Sequence, residues 1–546
     1  MTTTVGPRTD KRVGSAAPFA GVAALLRLYL RLDRIRITVW TLALAGTVFA
    51  TVESLIAAYP DTASRQARAA FLENPAAVLM SGPSYGTADY TLGAMTANEL
   101  SLTVFVAAAI MSILLVVRHT RTQEEAGRLE LLRALPVGAF APPAAALLSV
   151  AVANAAVGVG ITVALVAAGL EVAGSVAFGV ATAVTGLVFG AVAAVTAQFS
   201  EHSRAATGSA LGVLAVAFLV RGAGDIIEPS GSWLSWFSPI AWAQQTRLYV
   251  DLRWWPLLLS VAVIVVLLAL AVALSRRRDI GGGLRAPQPG PSEAAPGLLS
   301  APGLAWRLLR GTFVGWTVGL ALFGFVMGTL ASSLEDVIDD IPDLADWLGA
   351  DTGSLTSSFG ATMLLFLVVG VAAFAVSAVM RLRSEEEAGR AGLVVVTGAT
   401  RLRWLLGSLA VIVAQALVAL AVTGAAIGLG MAMAVGDAGW IARMCGAALV
   451  YAPAVLFVVA VAVALFALVP RAANLAWVLV VWAVFVGWLG EVLNIPDWAR
   501  NFSPLEHTPR VPYEDVRAAP LLVFGAAALV LVVIAVAGFR RRDVTA

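Results

Sequence analysis

The sequence of 546 residues contains one lysine, Lys11, although it has 36 basic residues in total. A conventional phosphate-binding loop requires Gly-x-x-x-x-Gly-Lys-Ser/Thr, in which the lysine reaches the β- and γ-phosphates of ATP. Lys11 lies in no such context. We therefore expect no ATPase site of this kind on the chain, and any ATP and Mg²⁺ to be bound by another polypeptide.

Cysteine and histidine are also scarce. Cys445 is the only cysteine, which excludes an intrachain disulfide and a cluster of cysteine metal ligands. The three histidines, His119, His202 and His507, do not have the spacing of zinc ligands. No nucleophile and base are recognisably paired in the sequence. We therefore predict no metal site, no catalytic residues and no cofactor on this chain.

Charged residues make up 13% of the chain, whereas about 25% is usual in soluble proteins. Apolar residues make up 60%, and a soluble chain of this length cannot bury so much apolar surface. The lipid bilayer must therefore surround most of it, and we predict an all-α integral membrane protein. The net charge of +2 gives no indication of a nucleic-acid partner.

Apolar runs near the length of about 20 residues that a membrane helix needs recur along the chain. We predict twelve spans, at 37–58, 100–117, 140–169, 172–197, 205–222, 256–274, 311–332, 361–380, 404–435, 444–469, 472–489 and 520–538. No cleavable signal peptide is visible before the first span. Phe19–Arg36 and Leu298–Arg310 combine leucines with arginines, and we predict that they are interfacial helices.

Arginines are concentrated in alternate segments between the predicted spans. The segment 333–359, by contrast, carries several acidic residues and no basic one. The positive-inside rule then places both termini in the cytoplasm. We therefore predict a multi-pass protein of the plasma membrane.

The two sets of six spans repeat each other in sequence. Equivalent motifs are Glu-Glu-Ala-Gly-Arg at 124–128 and 386–390, Arg-Ala-Ala at 204–206 and 471–473, Phe-Ser-Pro at 237–239 and 502–504, and Arg-Arg-Arg-Asp at 276–279 and 540–543. Because six is even, the halves share one orientation and are related by an axis along the membrane normal. The predicted domains are an N-terminal segment 1–36, a first half 37–278, a Gly/Pro-rich linker 279–303 and a second half 304–546.

The Glu-Glu-Ala-Gly-Arg segments lie in loops on the predicted cytoplasmic side. A single copy is explained by a solvated helix on the membrane surface. Two copies at equivalent positions favour a pair of acidic docking helices for a two-fold motor. The candidate coupling residues are Glu124, Glu125, Gly127, Arg128, Glu386, Glu387, Gly389 and Arg390.

The first loop continues into Leu-Leu-Arg-Ala-Leu-Pro-Val-Gly at 131–138, and here it resembles the coupling-helix loop of ABC-2 type exporter permeases. The fused halves are similar to actinobacterial permeases described as exporters of polyketide antibiotics and other drugs. This resemblance covers essentially the whole chain and implies a type V (ABC-2) exporter-like fold. It also implies efflux of hydrophobic or amphipathic compounds, powered by two copies of a nucleotide-binding ATPase docked on the two loops. Because 396–400 departs from the Leu-Pro-Val-Gly pattern, we expect unequal docking.

Two outer segments, 224–247 and 490–510, carry acids and tryptophans before their Phe-Ser-Pro motifs. They are interpreted either as part of an aromatic belt at the membrane interface or as re-entrant hairpins that form an outer gate. These segments resemble the region of ABC-2 permeases that forms a re-entrant hairpin and an outer gate. The candidate gate residues are Trp236, Phe237, Pro239, Phe502 and Pro504.

The predicted spans contain few ionisable or strongly polar residues. Glu53 lies about 20 Å along the first span from Trp40, and is either a solvated acid near the outer headgroups or a proton relay. Asn154 and Gln415 lie in mid-span, where each could hydrogen-bond between helices. These three are the candidate polar residues of a substrate cavity. The clean spans and twin acidic loops favour an ABC exporter permease over a proton-coupled drug antiporter or a membrane scaffold.

Overall fold

The computed structural model describes residues 17–72, 78, 81–228, 230–279, 281–284, 292–331, 352–397, 400–489, 497–500 and 502–542. Within these ranges the regular secondary structure is helical, without β-strands. The chain divides into two compact units, Met1–Pro289 and Gly290–Ala546.

The first unit contains six long helices, with short helices between them. The helices are α1 (Val22–Ala58), α2 (Thr62–Phe71), α3 (Leu92–His119), α4 (Arg121–Glu125), α5 (Arg128–Arg133), α6 (Ala141–Ala167), α7 (Val172–Phe199), α8 (Ser203–Ile227), α9 (Pro239–Gln244) and α10 (Trp255–Ser275). A single 3₁₀ turn, Ser235–Phe237, precedes α9.

The second unit repeats this order of long and short helices. They are α11 (Ala301–Thr329), α12 (Thr352–Glu387), α13 (Arg390–Val396), α14 (Arg401–Val435), α15 (Gly439–Val450), α16 (Ala452–Leu468), α17 (Ala476–Leu489), α18 (Asp497–Arg500) and α19 (Ala518–Arg541). Two 3₁₀ segments, Pro296–Leu299 and Pro470–Leu475, precede α11 and α17.

Eleven helices among the described residues are long and apolar enough to cross a bilayer. The predicted all-α membrane protein is therefore confirmed. A shorter apolar helix, Pro470–Val486, lies where the span 472–489 is predicted. Residues 490–496 of the second outer segment, 285–291 of the linker and 398–399 of the second coupling loop lie outside the described ranges.

The predicted interfacial helices are continuous with the spans that follow them. α1 is one helix from Val22 to Ala58, and α11 joins most of Leu298–Arg310 to the next span in the same way. No glycine or proline interrupts the sequence between Val22 and Gly46, so nothing local stops the helix. At 1.5 Å per residue α1 is about 55 Å long, so part of it extends beyond a hydrocarbon core of about 30 Å.

The predicted span 444–469 is interrupted in the second unit. α15 ends at Val450 and α16 begins at Ala452, with Pro453 at the second position of α16. Proline lacks the N–H that would continue the ladder and clashes with the preceding turn. Counted from the Arg-Ala-Ala repeats, Gly186 takes this position in the first unit, where α7 is unbroken.

Small residues allow the long helices to approach each other closely. A Cβ added to Gly179 of α7 would lie 2.3 Å from the carbonyl oxygen of Gly158 on α6. In the second unit, a Cβ on Gly328 of α11 would lie 2.1 Å from the carbonyl oxygen of Ile427 on α14. Backbone contact through glycine is typical of helix pairs in membranes, where packing rather than hydrophobicity holds helices together.

Candidate coupling loops and outer polar segments

Both Glu-Glu-Ala-Gly-Arg motifs form a tight turn between two helices. In the first unit Gly127 separates α4 from α5, with a φ of +68°. In the second unit Gly389 has a φ of +70° and separates α12 from α13. A residue with a side chain adopts this left-handed conformation reluctantly, so the glycine of the motif is required by the turn.

Glu124, the first glutamate of the first motif, is held by two arginines of its own unit. Its carboxylate accepts from Nη1 of Arg121 at 2.7 Å and from both Nη atoms of Arg278 at 2.8 and 2.9 Å. The side chain of Glu124 is 11% exposed and that of Arg121 is fully buried. Such a pair is charge-assisted, bidentate and largely withdrawn from water.

The same arginines attach the loop to the ends of two long helices. Arg121 Nε donates to the carbonyl oxygen of Ala197 at 3.0 Å, and Arg278 Nε donates to Gln198 Oε1 at 2.7 Å. Ala197 and Gln198 belong to the last turn of α7, and Arg278 follows α10. The first loop is therefore connected to α7 and α10 through Glu124.

The second unit repeats this connection with one arginine. Glu386 is paired with Arg542, and its side chain is 5% exposed. Arg542 Nη1 also donates to the carbonyl oxygen of Phe466, in the last turns of α16, at 2.7 Å. Arg278 and Arg542 are each the third arginine of an Arg-Arg-Arg-Asp motif. Two motifs that recur in the sequence thus meet in each unit, in what we call the loop tether (Glu124–Arg278 and Glu386–Arg542).

The second glutamates of the motifs lie at the surface. Glu125 accepts from the backbone N–H of Ser203 at 3.0 Å and from its Oγ at 2.6 Å, at the first residue of α8. Glu387 accepts from Arg383 Nε at 2.7 Å and remains 61% exposed. Docking helices would present their acids to the cytosol, whereas Glu124 and Glu386 point inward, towards arginines that are buried or partly buried and need a charged partner.

The arginines of the motifs are exposed, and one has a local partner. Arg128 lies at the surface at the start of α5. Arg390 donates to both carboxylate oxygens of Glu385, at 2.6 and 3.0 Å. These hydrogen bonds and the charge of Glu385 raise the pKa of Arg390, so its guanidinium stays charged. The buried Glu385, which also pairs with Arg381 at 3.0 Å, was not recognised from the sequence.

A buried cluster beside the first loop was also missed. Asp33 of α1 accepts from Arg118 at 3.1 Å and from Arg36 at 3.2 Å, and is paired with His119. The ring of Tyr29 stacks on His119 at 4.3 Å. Asp33 lies before the predicted span 37–58, in the part of α1 that is predicted to be an interfacial helix, so α1 carries a buried charge outside that span.

The first outer segment is folded back between α8 and α10. Trp236 stacks on Trp255 with ring centroids 5.2 Å apart, and Phe237 is 72% exposed. Ser238 and Pro239 begin the six-residue helix α9, where the Ser238 side chain accepts from the N–H of Ile240. Gly224–Ile227 belong to α8, and the rest of this segment forms no long helix in its described residues. The gate interpretation of Trp236, Phe237 and Pro239 stays a prediction.

The second outer segment shows a similar local arrangement in its described part. Phe502 is exposed and meets Trp498 edge-on, with centroids 6.4 Å apart. Pro504 is buried next to the buried Ser503 and Leu505. In both segments an exposed phenylalanine precedes the Ser-Pro pair.

A fully buried ion pair lies near the end of α8 in the first unit. Arg221 Nη1 donates to Asp225 Oδ2 at 3.3 Å and to the carbonyl oxygen of Val78 at 3.3 Å. Asp225 Oδ1 also accepts from Ser235 Oγ at 2.6 Å. The prediction ended this span at residue 222, whereas α8 continues to Ile227. The position of Arg221 inside an apolar run was the feature of the sequence that could have indicated a buried ion pair.

The three candidate cavity residues have different surroundings. Glu53 is exposed on α1. Asn154 is buried and donates to Ser112 Oγ on α3 at 2.8 Å, which is the expected hydrogen bond between helices. Gln415 is 1% exposed, and neither of its side-chain amide atoms has a hydrogen-bond partner among the described residues.

Comparison with known proteins shows similarity along the whole chain. The sequence is 40% identical, over 558 aligned residues, to the multidrug efflux system permease protein Rv1217c of Mycobacterium tuberculosis (strain ATCC 25618 / H37Rv). The alignment covers 100% of both chains. In addition, the family model of the multidrug efflux system permease Rv1217c, C-terminal domain, matches residues 298–540.

Proposed function

This chain belongs to the family of the multidrug efflux system permease Rv1217c, and we propose that it is the permease of an ATP-binding cassette exporter. In this proposal two copies of a separate ATPase subunit bind ATP and Mg²⁺ and dock on the two Glu-Glu-Ala-Gly-Arg loops. The chain itself catalyses no reaction. The observation that carries the proposal is the loop tether, which recurs in both units.

The loop tether supports a mechanical role for the loops. A loop that only covered the membrane surface could carry exposed ion pairs, which contribute at most about 1 kcal/mol each. It would not need a charge pair that is buried. Removing one partner of a desolvated, hydrogen-bonded pair costs about 2–5 kcal/mol. Glu124 and Glu386 are desolvated in this way, so each loop is firmly attached to its own unit.

The attachment points identify the helices that a moving loop would displace. Arg278 and Arg121 bind the last turn of α7, and Arg278 itself follows α10. Arg542 binds the last turns of α16 and follows α19. We infer that force applied to a loop is transmitted to these helices, which is how ATP binding would change access to the substrate.

The exposed side of each motif is the proposed contact surface for the ATPase. It comprises Glu125 and Arg128 in the first loop, and Glu387 and Arg390 in the second. Glu124 and Glu386 then act as positioning residues that hold this surface. This changes the initial hypothesis, in which all four glutamates contact the ATPase.

The proposed substrates are hydrophobic or amphipathic drugs. The name of the relative supports multidrug efflux, and the long helices offer extensive apolar surface with few charges. We propose that one copy of the chain works with two ATPase copies, because it already contains both halves.

The test begins with the complex purified from cells that normally make this chain. The mass of the intact complex should correspond to one permease and two ATPase subunits. Glu124→Ala with Glu386→Ala should abolish drug-stimulated ATP hydrolysis and drug transport in proteoliposomes, while membrane insertion is retained. The matched control is Glu228→Ala, which removes an exposed carboxylate just after α8 that accepts only from Ser230 Oγ in the described structure.

Two results would contradict the proposal. One is wild-type transport and hydrolysis by the double variant. The other is drug transport driven by a pH gradient without ATP or an ATPase subunit, which would identify a proton-coupled antiporter instead.

A further inference from the structure

The first unit contains a cavity of about 320 Å³ next to its coupling loop. Its walls come from the start of α6, the end of α7 and the end of α10, and residues of the first loop complete it. Ligand sites in proteins usually begin at about 300 Å³. The cavity is therefore large enough to hold part of a small amphiphile.

The lining divides into an apolar part and a charged end. Leu147, Leu268 and Val272 belong to the apolar part. α10 is mostly exposed along its apolar length, so this side of the cavity faces the bilayer. An acyl chain could therefore reach the cavity directly from the lipid.

The charged end has three arginines and two acids, when Arg121, which lies behind the lining and pairs with Glu124, is counted with Arg276, Arg278, Glu124 and Asp279. Glu124 is already paired with Arg121 and Arg278, so Asp279 is the remaining acid in the lining. Arg276 also lines the cavity and lies over the ring of Phe140 at 5.4 Å. Among the described residues Arg276 forms no ion pair. An anionic group at this end would supply its counter-charge.

The second unit has packed aromatic rings at the end of its last long helix. Phe539 stands directly before its Arg-Arg-Arg-Asp motif, where Ser275 stands in the first unit. Its ring packs against Trp404, on the first turn of α14, at 6.3 Å, and against Phe466 at 6.0 Å. At this position of the repeat the second unit has a phenylalanine packed against two rings, whereas in the first unit the smaller Ser275 lines a cavity.

We propose that this cavity binds one anionic phospholipid. Its phosphate lies at Arg276, and one acyl chain lies along Leu147, Leu268 and Val272. Glu124 and Leu129 of the first loop line the same cavity, so the bound lipid contacts that loop. In the second unit the ring of Phe539, packed on Trp404, stands at the position of Ser275 in the repeat. The inference depends on the membrane location of the chain and not on the ATPase.

The experiment measures the phospholipid retained by the purified full chain. The protein is extracted in detergent, exchanged into equal amounts of phosphatidylglycerol and phosphatidylcholine, washed, and analysed by native mass spectrometry. Wild type should retain phosphatidylglycerol in preference to phosphatidylcholine. Arg276→Gln should lower that retention about fivefold, since one arginine near an anionic lipid surface contributes about 1 kcal/mol.

Two further variants make the test specific. Ser275→Phe places the residue of the second unit in the cavity and should reduce retention of both lipids. Arg277→Gln removes the neighbouring exposed arginine, which does not line the cavity, and should leave retention unchanged. Thermal unfolding of each variant checks that it is folded. If Ser275→Phe does not fold, the comparison of Arg276→Gln with Arg277→Gln still decides.

Four outcomes would overturn the proposal. They are equal retention of the two lipids, equal losses in Arg276→Gln and Arg277→Gln, full retention by a folded Ser275→Phe, and displacement of the lipid by inorganic phosphate at similar concentration. The last would show an anion site without a role for the acyl chain.

Discussion

The two units use one framework with different side chains around the coupling loop. Both connect the first glutamate of the loop to the third arginine of the Arg-Arg-Arg-Asp motif, across 154 and 156 residues of sequence. Around this shared contact the first unit is polar, with Asp33, Arg118 and His119 beside an open cavity. The second unit packs the rings of Trp404, Phe466 and Phe539 there. The contact that both units retain is the one on which the proposed function rests.

The difference extends to the first helix of each unit. When the Trp-Thr pairs at 40–41 and 316–317 are aligned, Asp33 corresponds to Leu309. Leu309 is buried in the apolar core of the second unit, whereas Asp33 binds two arginines and a histidine. The first helix of the first unit therefore carries a buried carboxylate where that of the second unit carries an apolar core residue.

The largest expected effect concerns the ion pair of Arg221 and Asp225. Asp225→Ala leaves a guanidinium buried without its carboxylate, which costs about 3–5 kcal/mol. In the second unit Gly487 aligns with Arg221, so the arginine of this pair has no counterpart at that position. We expect a loss of this size in the free energy of unfolding of the full chain, measured by denaturant titration in detergent. Replacing both residues by apolar ones of similar volume should restore most of it. A loss below about 1 kcal/mol for Asp225→Ala would mean that water reaches Arg221.

The next prediction compares the two loop tethers. Glu124→Ala should cost about 2–5 kcal/mol of unfolding free energy, because Arg121 and Arg278 both lose their carboxylate. Glu386→Ala should cost less than Glu124→Ala, because only Arg542 loses its carboxylate and its guanidinium keeps its contacts with the rings of Phe466 and Phe539. Denaturant titration of both single variants checks this order. The reverse order, or equal losses, would show that the rings do not substitute for the carboxylate.

Features that depend on the local pattern of residues, namely the long helices and the two loops, could be predicted from the sequence. Apolar runs predicted the long helices, and the repeated motifs predicted that both loops would have equivalent structures. The loop tether was not predicted, because its partners lie more than 150 residues apart and hydropathy says nothing about such pairing. The recurrence of both motifs at nearly constant separation was the signal that could have revealed it.

Other differences arose at the ends and interruptions of helices. The predicted fifth span ends at residue 222 because mean hydropathy decreases at charged residues such as Arg221. In the structure Arg221 pairs with the buried Asp225, and α8 continues to Ile227. The break at Tyr451 follows from Pro453, which could have been read from the sequence. The inward direction of Glu124 could not be read from the sequence, because it depends on which side of the short helix α4 faces Arg278.

The smallest expected effect concerns two mid-span amides and differs in sign between the units. Asn154 donates to Ser112, which lies twelve residues before Glu124. The residue twelve before Glu386 is Phe374, which offers no acceptor, and Gln415 in the corresponding helix lacks a hydrogen-bond partner among the described residues. Asn154→Leu should therefore destabilise the chain by about 1 kcal/mol, and Gln415→Leu should stabilise it by a similar amount, because an unsatisfied buried amide costs more than an apolar group. The free energies of unfolding of the two variants, measured side by side in detergent, decide the matter. If Gln415→Leu is destabilising, the amide has a partner, and its place as a candidate cavity residue is strengthened, since a bound molecule could then use the same hydrogen bonds.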